Sequence, residues 1–422
     1  MKLIRPFSTR LMISRIGFIA LWSILIWACE QKENKGLKPG IWRGEFAFAE
    51  DKVPFNFEVT GEKDAQEVYL LNADERVLLQ GLKVEHDSLV IPIELFDAVL
   101  IGKADSENFN GFLRKNTDSK RGTPFQATFG ETHRFETEGN DPVSNLTGKW
   151  DFEITTEGSE PNHAVGLLKQ EGKKLTGTIM TTTGDYRYFE GLADGNQLLL
   201  SAFSGSSPRL IKGIVNDSTH FIAQFISAGG KSTITAVKNK DAALPDPYSL
   251  TFLKAGDSKL DFTFPDLTGK QVSLSDVKYK NKVVVVTILG SWCPNCMDEN
   301  AFLSPWYKEN KDKGIEIIGL AFERKDDFEF AKEKLNRFIK RYDIDYDILF
   351  AGKADKKEAG EKLPQLNAVL SFPTTFLIDK KGKVRKIHTG FTGPATGEYY
   401  DKFVKEFNSD VNQLLKEGEK TI

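Results

Sequence analysis

The sequence has few cysteines and no excess of basic residues. Three cysteines in 422 residues exclude a small scaffold held together by disulfides. Lys and Arg together number 57 against 60 for Asp and Glu, which leaves no general basic surface for binding nucleic acid. With 40% hydrophobic residues and 31 phenylalanines, the composition is not that of a disordered chain. At roughly 150 residues per domain, the length predicts two or three separately packed cores.

The N-terminal segment differs in composition from the rest of the chain. Basic residues and no acidic ones precede an apolar run at 16–28. This run has the length of a signal-peptide hydrophobic region, about 7–15 residues, and falls short of the roughly 20 that a membrane-spanning helix needs. It ends at Leu25-Ile26-Trp27-Ala28-Cys29, which resembles a bacterial lipobox. We expect a lipoprotein with lipidated Cys29; the alternative is an uncleaved signal anchor, and both place the protein outside the cytoplasm on a membrane.

Residues 40–238 consist of short apolar or alternating runs broken by Gly, Asn, Asp and Pro, without a helical period. Such runs are typical of antiparallel sandwiches or barrels. Gly40-Ile-Trp-Arg-Gly-Glu-Phe and Gly148-Lys-Trp-Asp-Phe-Glu-Ile open the two halves similarly and indicate a duplicated β-unit. The candidate strands are 42–48, 55–59, 68–71, 77–79, 89–95, 109–113 and 125–129, then 150–154, 164–170, 175–180, 186–192, 198–203, 210–215, 220–225 and 233–237.

Beyond a linker that contains Pro245 and Pro247, strands and helices alternate, which predicts an α/β domain. Strands are expected at 283–289, 315–322, 346–350, 376–378 and 384–388, and helices at 294–311, 326–342 and 398–417. The fold class is therefore multi-domain, an all-β region followed by an α/β domain. The predicted divisions are a signal peptide 1–28, a tether 29–38, β-rich domains 39–138 and 145–240, a linker 241–249 and the α/β domain 250–422.

Cys293 and Cys296 form a C-x-x-C motif where a predicted strand gives way to a helix. Unpaired N–H groups and the macrodipole at a helix N-terminus favour a thiolate, so Cys293 is the expected nucleophile. Cys296, one turn further along, is the expected resolving thiol. Pro294 is tolerated because the first helical turn needs no N–H there.

The cysteine pair has two alternative roles, a structural zinc site and a structural disulfide. A structural zinc site needs four ligands, and the α/β domain offers only His388 besides the two cysteines. A purely structural disulfide between Cys293 and Cys296 would close a very small loop and constrain the unfolded chain little. Redox chemistry is therefore favoured.

Trp292-Cys293-Pro294-Asn295-Cys296, followed by Glu299 and by Phe372-Pro373-Thr374, resembles the TlpA/ResA branch of thioredoxin-fold thiol-disulfide oxidoreductases over about residues 253–415. The resemblance implies a thioredoxin fold for 250–422 and an exported, membrane-tethered enzyme without metal or cofactor. It implies attack by Cys293, resolution by Cys296 and a redox disulfide Cys293-Cys296. Pro373 would be the cis-proline against this pair, Phe372 would offer its backbone to a substrate strand, and Trp292, Pro294 and Thr374 would support the site.

Glu299 occupies the position of the family's active-site glutamate. It lies three residues after Cys296 on one helix face and can act as general base on the resolving thiol. The alternative is a solvated glutamate, as expected of Asp298 beside it. Thioredoxins usually have a buried Asp six residues before the first active-site Cys, where this chain has Thr287. Glu299 is therefore expected to be the only carboxyl group that transfers protons at the site.

The expected function is reduction of disulfides on the periplasmic side of the cell envelope. The expected partners are a disulfide-containing extracytoplasmic protein such as an apocytochrome, a membrane thiol donor of the DsbD/CcdA type, and the membrane through the lipid anchor. One alternative is a lipoprotein whose β-domains bind a ligand or partner and whose redox tail is accessory. Another is a peroxiredoxin-like thiol peroxidase, which would have Thr where this chain has Leu289.

Overall fold

The computed structural model describes residues 36–48, 50–62, 65–79, 81–115, 122–205 and 207–417. The predicted signal peptide 1–28, the lipidation site Cys29 and most of the tether 29–38 lie outside the described residues. Within the described ranges, no helix is both long enough and apolar enough to cross a membrane.

The first β-module is one antiparallel sheet that curls into an open barrel. Its strands are β1 (Gly40–Phe48), β2 (Asp51–Thr60), β3 (Glu67–Asn72), β4 (Glu75–Leu78), β5 (Lys83–Glu85), β6 (Ser88–Ile93), β7 (Ala98–Ala104), β8 (Asn108–Lys115) and β9 (Gly122–Phe129). Their order in the sheet is β4-β3-β2-β1-β9-β8-β7-β6-β5. Strands β4 and β5 are thus opposite edges of the sheet. Only residues 79–82 connect β4 to β5. Because a connection of this length reaches at most about 18 Å, the two edges must curl toward each other.

The second β-module is a closed antiparallel barrel. Its strands are β10 (Gly148–Thr156), β11 (Asn162–Glu171), β12 (Lys174–Thr181), β13 (Gly184–Asp185), β14 (Phe189–Asp194), β15 (Gln197–Ala202), β16 (Arg209–Val215), β17 (His220–Ser227) and β18 (Gly230–Lys238). The order is β11-β10-β18-β17-β16-β15-β14-β12, and pairing of β11 with β12 closes the ring. Closure removes the exposed sheet edges. The two-residue strand β13 leaves the ring and pairs with the end of β12.

The two β-modules begin with the same local structure. Trp42 and Trp150 are both fully buried. Each indole N–H donates to the carbonyl four residues earlier, Lys38 O or Leu146 O, at 2.9 Å. The similar opening sequences therefore fold in the same way, with the indole fixing the entry of the chain into the first strand of its module.

The third domain is an α/β domain around a five-stranded sheet. Its elements are α1 (Pro247–Leu250), β19 (Thr263–Pro265), β20 (Gln271–Ser273), β21 (Val283–Leu289), α2 (Pro294–Asn310), β22 (Ile315–Glu323), α3 (Phe328–Tyr342), β23 (Asp347–Lys353), α4 (Lys356–Lys362), β24 (Thr374–Ile378), β25 (Val384–Thr389) and α5 (Glu398–Lys416). The sheet order is β23-β22-β21-β24-β25. Strand β21 is parallel to β22 and antiparallel to β24. The expected fold class, an all-β region followed by a thioredoxin-like α/β domain, is confirmed.

Strand β21 positions the chemistry of this domain. Every residue of β21 is buried, which its uninterrupted run of apolar residues and threonine requires. The chain passes from the end of β21 through residues 290–293 into α2, so the C-x-x-C motif lies at the carboxyl end of the central strand. Helix α2 is continuous from Pro294 to Asn310.

Candidate active site

Cys293 is the N-cap residue of α2. Its sulfur accepts the backbone N–H of Cys296 at 3.4 Å, which pairs one of the free amide groups of the first turn. Its thiol donates to the backbone carbonyl of Phe372 at 3.2 Å. Both cysteines are free thiols; Cys293 is 5% exposed and Cys296 is fully buried. Pro294 is the first residue of the helix, where no N–H is needed.

The loop before β24 lies against the cysteine pair. The peptide bond between Phe372 and Pro373 is cis. The Phe372 ring meets the Trp292 ring edge to face, with centroids 5.6 Å apart. Thr374 donates its hydroxyl to the carbonyl of Ser371 at 2.9 Å and so holds the loop's shape. The structure thus brings the predicted residues of the loop and of the C-x-x-C motif together.

A second glutamate, which the sequence did not reveal, supports the segment before Cys293. Glu323, the last residue of β22, is buried and accepts the backbone N–H and the hydroxyl of Ser291 at 2.8 and 2.9 Å. Burial raises the pKa of Glu323 to about 7, although the bonds from Ser291 lower it. The only signal in the sequence was an acidic residue at the end of a buried strand.

Glu299 points into the interior of the α/β domain. It is 1% exposed, and its two carboxylate oxygens accept the hydroxyls of Thr287, at 2.6 Å, and of Thr375. Burial raises the pKa of Glu299 to about 7, and the two threonine bonds act in the opposite direction. Thr287 occupies the position where thioredoxins carry a buried acid. Here the acid comes instead from the helix, and Thr287 binds it.

The resolving cysteine has a thiol that is hard to ionise. Burial is the largest cause that raises the pKa of Cys296, and the neighbouring Cys293 and the charge of Glu299 raise it further. A thiol in this setting needs a base before it can act as a nucleophile. Glu299 is the carboxyl group that acts on it electrostatically.

The β-modules contribute to the surroundings of α2. The guanidinium of Arg187, in the second β-module, lies 2.6 Å from Glu75 of the first module and 3.1 Å from Asp298 of α2. Burial alone would lower the pKa of Arg187, but the carboxylates of Asp298 and Glu75 raise it above its ordinary value. Asp298 is largely buried in this ion network, so the expectation that it is solvated was wrong.

Among the described residues, no group of three or more His, Cys, Asp or Glu side chains is arranged to hold a metal ion. The site therefore consists of two thiols, one buried carboxyl group bound by two hydroxyls, and a cis-proline loop. This arrangement can carry out thiol-disulfide exchange, in which thiolates attack disulfide sulfurs.

The chain is similar to known thiol-disulfide oxidoreductases. The Redoxin family model matches residues 254–401. Thiol-disulfide oxidoreductase ResA of Bacillus cereus (strain ZK / E33L) is 33% identical over 132 residues, 31% of this chain and 68% of that protein. The ResA of Bacillus thuringiensis subsp. konkukian is 29% identical over 154 residues, 36% and 79% of the two chains. A solved thiol-disulfide oxidoreductase from Bacteroides fragilis is 23% identical with a TM-score of 0.27, covering 35% of this chain and 99% of its own. This chain belongs to the TlpA/ResA-type family of thioredoxin-fold thiol-disulfide oxidoreductases.

Proposed function

We propose that the protein reduces disulfide bonds of extracytoplasmic proteins by dithiol exchange through Cys293 and Cys296. The observation that supports this most is the placement of the Cys293 sulfur, between the backbone N–H of Cys296 and the carbonyl of Phe372. The N–H favours negative charge on the sulfur. The carbonyl belongs to the loop along which an extended substrate would lie.

In the first step, the Cys293 thiolate attacks one sulfur of a substrate disulfide. A mixed disulfide forms between Cys293 and the substrate, and the other substrate sulfur leaves as a thiolate that takes up a proton. Phe372 offers its backbone to the substrate strand beside the attacked sulfur. Trp292, in contact with the Phe372 ring, keeps the loop close to the motif.

In the second step, Cys296 resolves the mixed disulfide. The Glu299 carboxylate accepts the Cys296 proton, and the resulting thiolate attacks the Cys293 sulfur. The bond between Cys293 and the substrate breaks, the substrate leaves as a dithiol after taking up a second proton, and the disulfide Cys293-Cys296 remains. Two electrons have then passed to the substrate. With its pKa raised to about 7, Glu299 can hold and release a proton near neutral pH.

The oxidised pair must be reduced before the next cycle. We propose that a membrane protein with a thiol pair, of the DsbD/CcdA type, supplies these two electrons. The N-terminal segment supports this location, since a signal peptide with a lipid on Cys29 would hold the enzyme at the periplasmic face of a membrane. An extracytoplasmic protein such as an apocytochrome would be the substrate.

The test is a trapping experiment in cells with the full chain. Cys296→Ser removes the resolving thiol, so mixed disulfides with substrates should accumulate on Cys293 and appear as adducts on non-reducing gels. The double variant Cys293→Ser/Cys296→Ser is the control and should trap nothing. An empty Cys296→Ser trap contradicts the proposal. Fractionation of the same cells should recover the protein with membranes, and Cys29→Ser should release it.

A further inference from the structure

One turn of the second β-module lies on the active site. We call residues 181–187, which run from the last residue of β12 through β13 toward β14, the closing turn. The backbone carbonyl of Thr183 accepts the hydroxyl of Ser371 at 2.9 Å and the side-chain amide of Asn295 at 3.4 Å. Ser371 precedes Phe372, and Asn295 lies between the two cysteines. The closing turn is thus bonded both to the cis-proline loop and to the start of α2; we call the space between these two segments, where Cys293 lies, the groove.

The contact is close enough to require glycine on both surfaces. A Cβ atom added to Gly184 would lie 1.8 Å from the Asn295 amide nitrogen and 2.8 Å from the Phe391 carbonyl oxygen. A Cβ atom added to Gly390 would lie 2.8 Å from the Thr183 carbonyl carbon. Real Cβ contacts are longer, so the closing turn packs here against the Asn295 side chain and against the backbone of residues 390 and 391.

The closing turn is also held at its end by buried charged groups. Asp185 accepts the backbone N–H of Gly393 at 2.7 Å and that of Arg187 at 2.9 Å. Arg187 in turn binds Asp298 of α2 and Glu75 of the first β-module. All three domains therefore take part in holding the turn over the active site.

From these contacts we infer that the closing turn determines which substrates reach Cys293. An extended segment of a substrate protein that pairs with the Phe372 backbone must displace the Thr183 carbonyl from Ser371 and Asn295. Cys293 is 5% exposed, and the closing turn is bonded to residues on either side of it. This inference rests on the proposed function, because it assigns the β-rich half a role in selecting substrates for the Cys293 reaction.

A cavity lies beside the closing turn. Its volume is about 620 Å³, and it borders the turn at Thr181, Thr182 and Gly184. Tyr399 and Phe403 of α5 also line it. This space beside the turn leaves it room to move when a substrate strand displaces it.

The test uses the full chain with Gly184→Ala. The added methyl group would overlap the Asn295 amide and lie 2.8 Å from the Phe391 carbonyl oxygen, so we expect it to push the turn off the groove. Gly230→Ala is the matched control: Gly230 lies in the same module and also has a positive φ, +120° against +133° at Gly184, but an added Cβ there meets nothing within 4 Å. Both variants carry similar backbone strain, and only one disturbs the contact.

The readout is alkylation of the reduced protein by iodoacetamide, with each cysteine followed by peptide mass spectrometry. In Gly184→Ala, Cys293 should react about tenfold faster than in the wild type while Cys296 stays protected; in Gly230→Ala, neither rate should change. Reaction of both cysteines would mean unfolding of the domain and would overturn the inference, as would an unchanged Cys293 rate in Gly184→Ala.

A second readout is the kcat/KM for reduction of insulin. Opening of the groove should raise it in Gly184→Ala and leave it unchanged in Gly230→Ala. Faster alkylation with slower insulin reduction would overturn the inference, since the turn would then bind substrate rather than exclude it. Alkylation needs no substrate, so an empty Cys296→Ser trap would contradict the proposed function and leave the alkylation result standing.

Discussion

Helix α2 carries two neighbouring carboxyl groups into two different regions of the molecule. Glu299 enters the interior of the α/β domain, where the hydroxyls of Thr287 and Thr375 bind it. Asp298 faces the boundary with the β-modules, where Arg187 binds it. Burial raises the pKa of both carboxyl groups to about 7. Glu299 has only hydroxyls to stabilise its charged form, so it lowers stability when it is charged, which suits proton transfer near neutral pH. An acid paired with arginine instead joins domains.

The largest change in stability is expected when Arg187, at the boundary between α2 and the β-modules, is replaced. Arg187→Met should lower the free energy of unfolding by about 3–5 kcal/mol, because Asp298 and Glu75 would lose their buried cation. Denaturant unfolding of the full chain measures this. Arg76→Met is the control: Arg76, in the first β-module, pairs with Glu58 at 2.9 Å on the surface, and its loss should cost less than about 1 kcal/mol. Equal losses in the two variants would contradict the assignment of a buried network to Arg187.

Replacement of Glu299, in the interior of the α/β domain, should change the stability in the opposite direction. Because Glu299 has a pKa of about 7 in the folded protein against an ordinary 4.5, folding favours its protonated form. The protein is therefore most stable below about pH 4.5 with respect to this group, and loses stability as pH rises toward 7 and above. Glu299→Gln should remove that loss and stabilise the protein by about 3 kcal/mol at pH 9, with little change at pH 4.

Denaturant unfolding at the two pH values tests this prediction. Arg187→Met gives a contrast, because Glu299→Gln should stabilise the protein at high pH and Arg187→Met should destabilise it. A Glu299→Gln variant that is less stable than the wild type at pH 9 would show that the carboxylate is paired more strongly than the two threonine hydroxyls allow.

The sequence predicts the surroundings of Glu299 better than the ion network around Arg187. The uninterrupted apolar run of β21, followed by a C-x-x-C motif and Pro294, places a nucleophile at a helix start, and spacing along one helix places Glu299 near it. These are local signals. Arg187 and Glu75, in contrast, are 112 residues apart in the chain, and no local pattern brings them together.

Strand β7 shows a second kind of failure. The apolar run that begins at residue 89 predicts one strand, 89–95, whereas β6 ends at Ile93 and β7 begins at Ala98. The reversal uses a short 3-10 turn closed by Asp97 with a positive φ of 50°. Because neither Gly nor Pro marks this turn, and Asp tolerates the left-handed region, composition alone gave no break.

The pH dependence of the resolving step tests directly whether Glu299 takes the proton from Cys296. Stopped-flow measurement of Cys293-Cys296 disulfide formation from a mixed disulfide should show a rate that rises with pH through a midpoint near 7, the pKa of Glu299. Thr375→Val removes a hydroxyl that stabilises the charged carboxylate, so it should move this midpoint upward by about one pH unit.

Thr374→Val is the matched control, because the Thr374 hydroxyl binds the Ser371 carbonyl and not Glu299. We expect the midpoint to stay near 7 in this variant, to move upward in Thr375→Val and to disappear in Glu299→Gln. A midpoint that is the same in wild type, Thr375→Val and Glu299→Gln would contradict this expectation, since the proton of Cys296 would then leave by another route.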